Sequence, residues 1–232
     1  VNNLALWRVD PGCLAAHTRY TRFDFLRRED FMLVRTHTQI TASLLGLAAC
    51  LTASAAWADT ESRLASGDII VANRSIAGSE LPEVTVTAVI NAPPAAVWGI
   101  VDDCKRYKNT MPRISDSKET SRSGANSVCV VTVDMPMPFS DLTSISDAVS
   151  TPGPATWKRT WKLAKGTEGG DYKRNEGSWT LSAFDAEGKR TRAVYRVHVE
   201  PNVSVPNFIV RKAQESALPD MMKKIRKQLG VD

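Results

Sequence analysis

Apolar and polar residues alternate over Glu83–Ile90, where Val84, Val86, Ala88 and Ile90 interleave with Glu83, Thr85 and Thr87. A period of two sends successive side chains to opposite faces of an extended chain, so this segment predicts a strand with one buried face. Comparable short segments predict strands at Asp68–Ile76, Ile114–Thr120, Ser127–Met135, Ser140–Val149, Ala155–Leu163, Gly177–Phe184 and Arg192–Val199. Turn residues separate them, at Gly78-Ser79, Gly124, Gly153, Gly169-Gly170 and Asp185-Ala186-Glu187-Gly188. Pieces this short with such turns favour antiparallel hairpins. In the last strand Ala193, Tyr195, Val197 and Val199 form the apolar face, which points Arg192, Arg196 and His198 outward. The same period puts Trp157 and Trp161 on one face with Arg159 between them, and groups Trp179, Leu181 and Ala183 on another.

Two segments carry a helical pattern instead. Asn91-Ala92-Pro93-Pro94 marks a helix start, with Asn91 as the cap and prolines where a first turn needs no amide donor. Val97, Trp98 and Val101, with Tyr107 further on, supply its apolar side, and Asn109 to Pro112 ends it. The second helix runs from about Pro206 to Leu229, apolar through Phe208, Ile209, Ala213, Ala217, Leu218, Met221, Met222, Ile225 and Leu229. Arg211, Lys212, Lys223, Lys224, Arg226 and Lys227 keep its other side wet, and Pro219 is expected to bend or divide it. Strands followed by one long helix predict an α+β layer arrangement.

The N-terminal part reads differently. Met32 opens a segment carrying Arg35 and His37, followed by an uncharged run from Ile40 to Ala56 and the small-residue pattern Ala56-Trp57-Ala58. Basic, apolar, then small is the order of a secretory signal peptide, so residues 32–58 are expected to be a leader cleaved after Ala58. Its Ala, Ser and Thr content and its length fit a membrane span less well. Leu47-Ala48-Ala49-Cys50 offers an alternative cut before Cys50 that would leave a lipoprotein. Residues 1–31, with Arg27, Arg28, Glu29 and Asp30, read as an upstream extension from a misassigned start. They are set aside, leaving 59–232 as one domain.

Charge narrows the partners. The formal net charge is +5, part of which lies in the leader. Over 59–232 basic and acidic residues intersperse, the pattern of a solvated surface with some attraction to anionic lipid headgroups. No basic block is interleaved with aromatics, which argues against nucleic acid. Beyond the leader two cysteines persist, Cys104 and Cys129, an even number suited to an oxidising compartment. They are expected to pair as a disulfide, the alternative being two separately buried thiols. No CxxC pair, metal-ligand cluster, phosphate loop or nucleophile elbow is present, so no cofactor or metal is expected.

The segments "GDIIVANRSIAGSELPEVTVTAVINAPPAAVWGIVDDCKRY", "MPRISDSKE", "MPMPFSDLTSI" and "YRVHVEPNVSVPNFIVRKAQESALPDMMKKIR" occur in an order that resembles the START-like superfamily. No one piece is specific; their order from Asp68 to Gly230 is. In the proline-flanked piece Leu142 stands where the family often has arginine. The superfamily also holds coenzyme-Q-binding proteins and polyketide cyclases. The resemblance implies a helix-grip fold, a curved antiparallel sheet round a long C-terminal helix with an internal apolar cavity. It implies binding and transport of a lipid or other apolar small molecule, in the periplasm or outside the cell.

On that fold the candidate wall residues are Trp157, Trp161, Trp179, Tyr195 and Val197, with Phe208, Met221 and Met222 as an adaptable lid. Taken singly, each is expected to be an ordinary core residue first; the resemblance speaks for the cluster. Arg159, on a face with two tryptophans, has to reach solvent, form an internal ion pair with Asp134 or Asp141, or meet a ligand headgroup. Asp102-Asp103 is expected to cap or orient local structure. A monomer making transient contact with anionic membranes is favoured. The rival functions are a cyclase or dehydratase using the same cavity, and a protein-binding module; catalysis is the weaker expectation.

Overall fold

Alternation over Glu83–Ile90 does build a strand. In the computed structural model, which describes residues 57–165 and 170–231, Val84, Val86, Ala88 and Ile90 of this segment are buried. The element order is a helix over 57–65 (α1), β1 (Ile69–Arg74), β2 (Glu83–Ile90), α2 (Pro94–Val101), a 3₁₀ turn Cys104–Arg106 and α3 (Tyr107–Thr110). Then come β3 (Ile114–Ser123), β4 (Asn126–Val133), β5 (Leu142–Thr151), β6 (Thr156–Leu163), β7 (Tyr172–Ala183), β8 (Thr191–Pro201) and α4 (Asn207–Leu229). The eight strands form one antiparallel sheet in the order β1-β2-β8-β7-β6-β5-β4-β3. The sheet packs against the C-terminal helix, the helix-grip arrangement. The leader and upstream-extension readings lie outside the described residues, apart from Trp57 and Ala58 at the start of α1.

Register organises the inner face into rows. One row runs Trp157–Leu181–Ala193–Ala88 across β6, β7, β8 and β2. It packs under α2, whose Val97, Trp98 and Val101 are buried, and Trp98 meets Trp157 at 5.6 Å between ring centroids. The next row is Ser150–Arg159–Trp179–Tyr195–Val86, and the one beyond it Ala148–Trp161–Gly177–Val197–Val84. A Cβ on Gly177 would lie 2.4 Å from the Trp161 ring and 2.2 Å from the Arg196 carbonyl oxygen. Only a residue without a side chain lets the indole lie flat across this strand.

Beyond those rows the inner side chains become small. Ser144, Ser146, Ala148 and Ser150 line the inward side of β5, and Ala213 and Ala217 face them from the first half of α4. The second half of α4 is filled instead by Met222 and Ile225, both fully buried. The solid core therefore sits under α2 and the end of α4, and the sequence of small residues leaves a gap at the other end.

Three local expectations change. Asn91 does not cap α2; Pro93 holds the cap position, without a side-chain cap, and α2 begins at Pro94. The helix stops at Val101, where the Asp102 amide closes on the Trp98 carbonyl, and Tyr107 belongs to the separate α3. Pro219 lies inside α4 without dividing it.

His198 does not face solvent. Its ring is 2 % exposed, because the β1–β2 connection folds across that face of β8. Nε2 lies 3.0 Å from the Ser79 hydroxyl and 3.1 Å from the Leu81 carbonyl oxygen, with Glu200 at 3.4 Å. Alternation on β8 is correct; the outer face is simply covered.

Candidate functional site

The gap left by the small residues is a cavity of about 250 Å³ between the inner faces of β3–β8 and the first half of α4. Of the residues expected in the wall, Trp161, Trp179, Tyr195 and Val197 line it; Met221, expected in the lid, is in the lining as well, and Arg159 is at its inner end. Tyr195 packs against both tryptophans, at 5.5 Å from Trp161 and 4.8 Å from Trp179 between centroids. The Trp161 indole donates to Asn175 Oδ1 at 3.1 Å, which fixes its rotamer. Three candidates lie elsewhere. Trp157 is engaged by Trp98 in the row under α2, Met222 is in the solid core, and Phe208 is 67 % exposed on the outer side of the α4 start.

Arg159 is 2 % exposed, and its partner is neither Asp134 nor Asp141. Its Nη1 donates to Asp102 Oδ1 at 2.7 Å and to the Ser150 hydroxyl at 2.8 Å. Nη2 donates to the Ser127 hydroxyl and to Cys129 Sγ, both at 3.2 Å. Ser150 in turn donates to Asp102. Register explains the correction. Arg159 is level with Ser150 near the end of β5, whereas Asp141 and Asp134 flank the beginning of β5, roughly 30 Å away at ~3.3 Å per residue. There Asp134 pairs with Arg113 at 3.5 Å and Asp141 accepts from Ser115 at 2.8 Å. Asp102 reaches the buried guanidinium because α2 ends over it. The sequence reading of Asp102 as an orienting residue thus acquires a specific object.

A disulfide closes beside this pair. Cys104 and Cys129 are bonded and buried, tying the segment after α2 to β4. Glu119 has a carboxylate oxygen within 4.8 Å of both sulfurs, but sulfurs bonded to one another are not thiolate ligands.

Two tyrosines that alternation did not single out complete the wall, Tyr107 and Tyr172. Tyr107 donates its hydroxyl to the Val101 carbonyl. Burial pushes its phenol up to about 12, while Arg159 nearby pulls in the other direction. Burial likewise holds the phenols of Tyr172 and Tyr195 well above their ordinary range. Tyr172 lies ahead of the segment read as a strand, and an unbroken period counted back from Trp179 would turn it outward; the register shift between Tyr172 and Arg174 turns it inward instead. A bulge of this kind has no signature in the hydrophobic pattern.

One end of the cavity is bordered by Arg113, Asp134, Met135, Pro201 and Val210. Arg113 holds a positive φ of 56° there, with its guanidinium bonded to the Asp134 carbonyl oxygen at 3.0 Å. Two positions along the chain from Met135 and Val210 stand Met137, 91 % exposed, and Phe208, neither of them in the lining.

Solved structures share this architecture. A STAR-related lipid transfer protein from Xanthomonas axonopodis is 20% identical, covering 69% of this chain and 93% of its own, with a TM-score of 0.59. Human STARD10 is 15% identical over 68% of each chain, with a TM-score of 0.58. Human StAR-related lipid transfer protein 5 is 12% identical, covering 78% of this chain and 95% of its own, with a TM-score of 0.57. At these identities the likeness is one of fold. No curated protein matches the chain. The family described as polyketide cyclase / dehydrase and lipid transport matches residues 90–226, from the end of β2 into the last turns of α4, and the chain belongs to that family.

Proposed function

We propose that the protein binds an apolar small molecule or lipid in the cavity between sheet and α4 and carries it to or from a membrane. The observation that carries this reading is the cavity itself. It is walled by Trp161, Trp179, Tyr195, Val197, Leu218 and Met221, while the rest of the inner face is packed solid. Apolar surface moved into such a wall gains roughly 25 cal/mol per Å² without any charged contact. Family members include lipid-transfer proteins and cyclases or dehydratases, so fold alone does not choose between carriage and chemistry. Carriage is favoured because the most polar side chain at the cavity, Arg159, is already engaged by Asp102, Ser150, Ser127 and Cys129.

Met137 and Phe208 would rest on the membrane during exchange, with Arg211 and Lys212 favouring anionic leaflets and the start of α4 moving aside. The Cys104–Cys129 bond supports a setting outside the cytoplasm. The test is to express the full chain for export, purify it without detergent, and combine native mass spectrometry with organic extraction. A reproducible bound lipid, lost on Trp161→Asp, supports the carrier. A ligand-free protein that also takes up no fluorescent fatty alcohol or sterol refutes it.

A further inference from the structure

The cavity wall contains phenols that the protein leaves without partners. Among the described residues nothing hydrogen-bonds the hydroxyls of Tyr172, which is 8 % exposed, and Tyr195, which is partly buried between two tryptophans; neither hydroxyl is fully occluded, and both residues line the cavity. The Gln214 side-chain oxygen, in the same wall, is buried without a partner. Buried tyrosine hydroxyls and amides ordinarily find partners, because an unmade hydrogen bond forfeits the hydration the group has lost. The other polar groups of the wall show the contrast. Tyr107 spends its hydroxyl on Val101 and Trp161 its indole on Asn175.

Charge then restricts what could supply the missing partner. Arg159 is balanced by Asp102 at 2.7 Å, and Arg113 at the border is engaged by Asp134. The interior of the wall therefore has no cation to spare, Arg113 standing 38 % exposed at the border, and an anion taken from water into that interior would be left uncompensated at a heavy desolvation cost. A neutral oxygen bears no such cost, and two phenols aimed at an apolar space are donors suited to it.

Building on the carrier reading, we propose that the ligand bears a neutral oxygen function, a hydroxyl or carbonyl on an apolar body, held inside the cavity by hydrogen bonds donated from Tyr172 and Tyr195. Lipids whose only polar group is a carboxylate or phosphate are excluded from that position. A ligand hydroxyl, unlike a carbonyl, can also donate, and Gln214 offers the acceptor for it.

The experiment compares four probes of one chain length, namely decanol, a decanone, decanoate and decane. Binding is followed by tryptophan emission, which Trp161 and Trp179 report from the wall, and by near-ultraviolet difference absorption of the phenols. Wild type is expected to bind decanol and the decanone at least about tenfold more tightly than decanoate. Each phenol hydrogen bond is worth about a two- to tenfold change in affinity. The preference for decanol over decane should therefore fall by about fivefold or more in a Tyr172→Phe/Tyr195→Phe double variant, and the phenol difference signal should vanish with it. These substitutions keep the rings and their packing, and thermal unfolding verifies the fold. Decanoate binding as tightly as decanol, or an unchanged decanol preference in the folded double variant, overturns the proposal while leaving the carrier standing. Failure of all four probes, decane included, removes the carrier reading itself and the proposal with it.

Discussion

Removing the carboxylate of Asp102 should reveal what a nearly inaccessible guanidinium costs when its counter-charge is gone. Arg159 is 2 % exposed, and Asp102 at 2.7 Å is the acid that balances it. In Asp102→Ala the three neutral partners Ser150, Ser127 and Cys129 remain, but the charge stays buried uncompensated. Breaking a buried pair by deleting one member costs about 3–5 kcal/mol. Because the Asp102 side chain is itself 22% exposed, water can enter where it stood, which sets the expectation near the lower end, about 3 kcal/mol. For a domain of this size that is a fall in Tm of about 6–12 °C. The assay is urea unfolding with Asp102→Ala, Arg159→Met and the double variant, with Arg122→Ala as a reference for the exposed arm of the same cluster. Arg122 reaches Asp102 at 3.4 Å from a third-exposed position and also holds the 5 %-exposed Glu119 at 2.7 Å, which Lys105 shares at 3.8 Å, so its loss should cost about 1–2 kcal/mol, still less than that of Asp102→Ala. The double variant should be more stable than Asp102→Ala alone, because methionine removes the stranded charge. An Asp102→Ala loss no greater than that of Arg122→Ala, or strict additivity in the double variant, refutes the argument that the pair is a buried unit.

Replacing Cys104 and Cys129 together by serine opens a loop of 25 residues, which the chain-entropy relation values at about 3.5 kcal/mol; unfolding with and without reductant should show the loss in wild type and not in the variant. Apart from Tyr20, every tyrosine of the chain is in the cavity wall. Raised phenol pKa values stabilise the fold fully below the ordinary value near 10 and lose that contribution as pH climbs toward and past the folded value, about 12 for Tyr107. Phenolate absorbance beyond that of Tyr20 should therefore appear only with alkaline unfolding, and normal titration near 10 in the folded protein contradicts the burial. At Gly177 the Cβ of alanine has no room beside the Trp161 ring and the Arg196 carbonyl, so Gly177→Ala should cost at least about 2 kcal/mol and shift the tryptophan emission; a neutral result means the indole does not lie across β7. Met137→Asp with Phe208→Asp should slow ligand delivery to anionic vesicles several-fold with little change in Tm, since both are exposed; unchanged delivery removes the membrane role given to these residues.

Much of the architecture was readable because period and burial coincide. β2 matches its expected limits residue for residue, and α4 begins one residue from its expected start, because each buries one well-patterned face. The period put Trp161, Trp179, Tyr195 and Val197 on apolar faces of their strands, and the family resemblance turned those faces toward one cavity, where all four are found. What escaped was set by long-range contacts. His198 is buried by the β1–β2 connection, the shift near Tyr172 reverses its facing, and Arg159 finds Asp102 across 57 positions of chain. None of these leaves a periodic trace. Ser144, Ser146 and Ser150 read as ordinary polar strand residues, yet as small inward groups they create the space.

The positions of the disulfide, the ion pair and the cavity bear on one another. The short chain from Asp102 to Tyr107 supplies the carboxylate for Arg159, a half-cystine bonded to β4, and a phenol for the wall. Arg159 in turn contacts Cys129 on β4 as well as Asp102 at the end of α2, so the guanidinium touches both segments that the link ties. The link ties the inner end of the cavity, where the charge is, while the carrier reading assigns movement to the opposite end, where α4 begins. A carrier needs this division. Its closed end would keep the guanidinium buried against its counter-charge, so that the interior stays neutral. Its open end is held by few buried side chains, Val210 being the first of α4, and can part from the sheet without disturbing Met222 and Ile225 in the solid core.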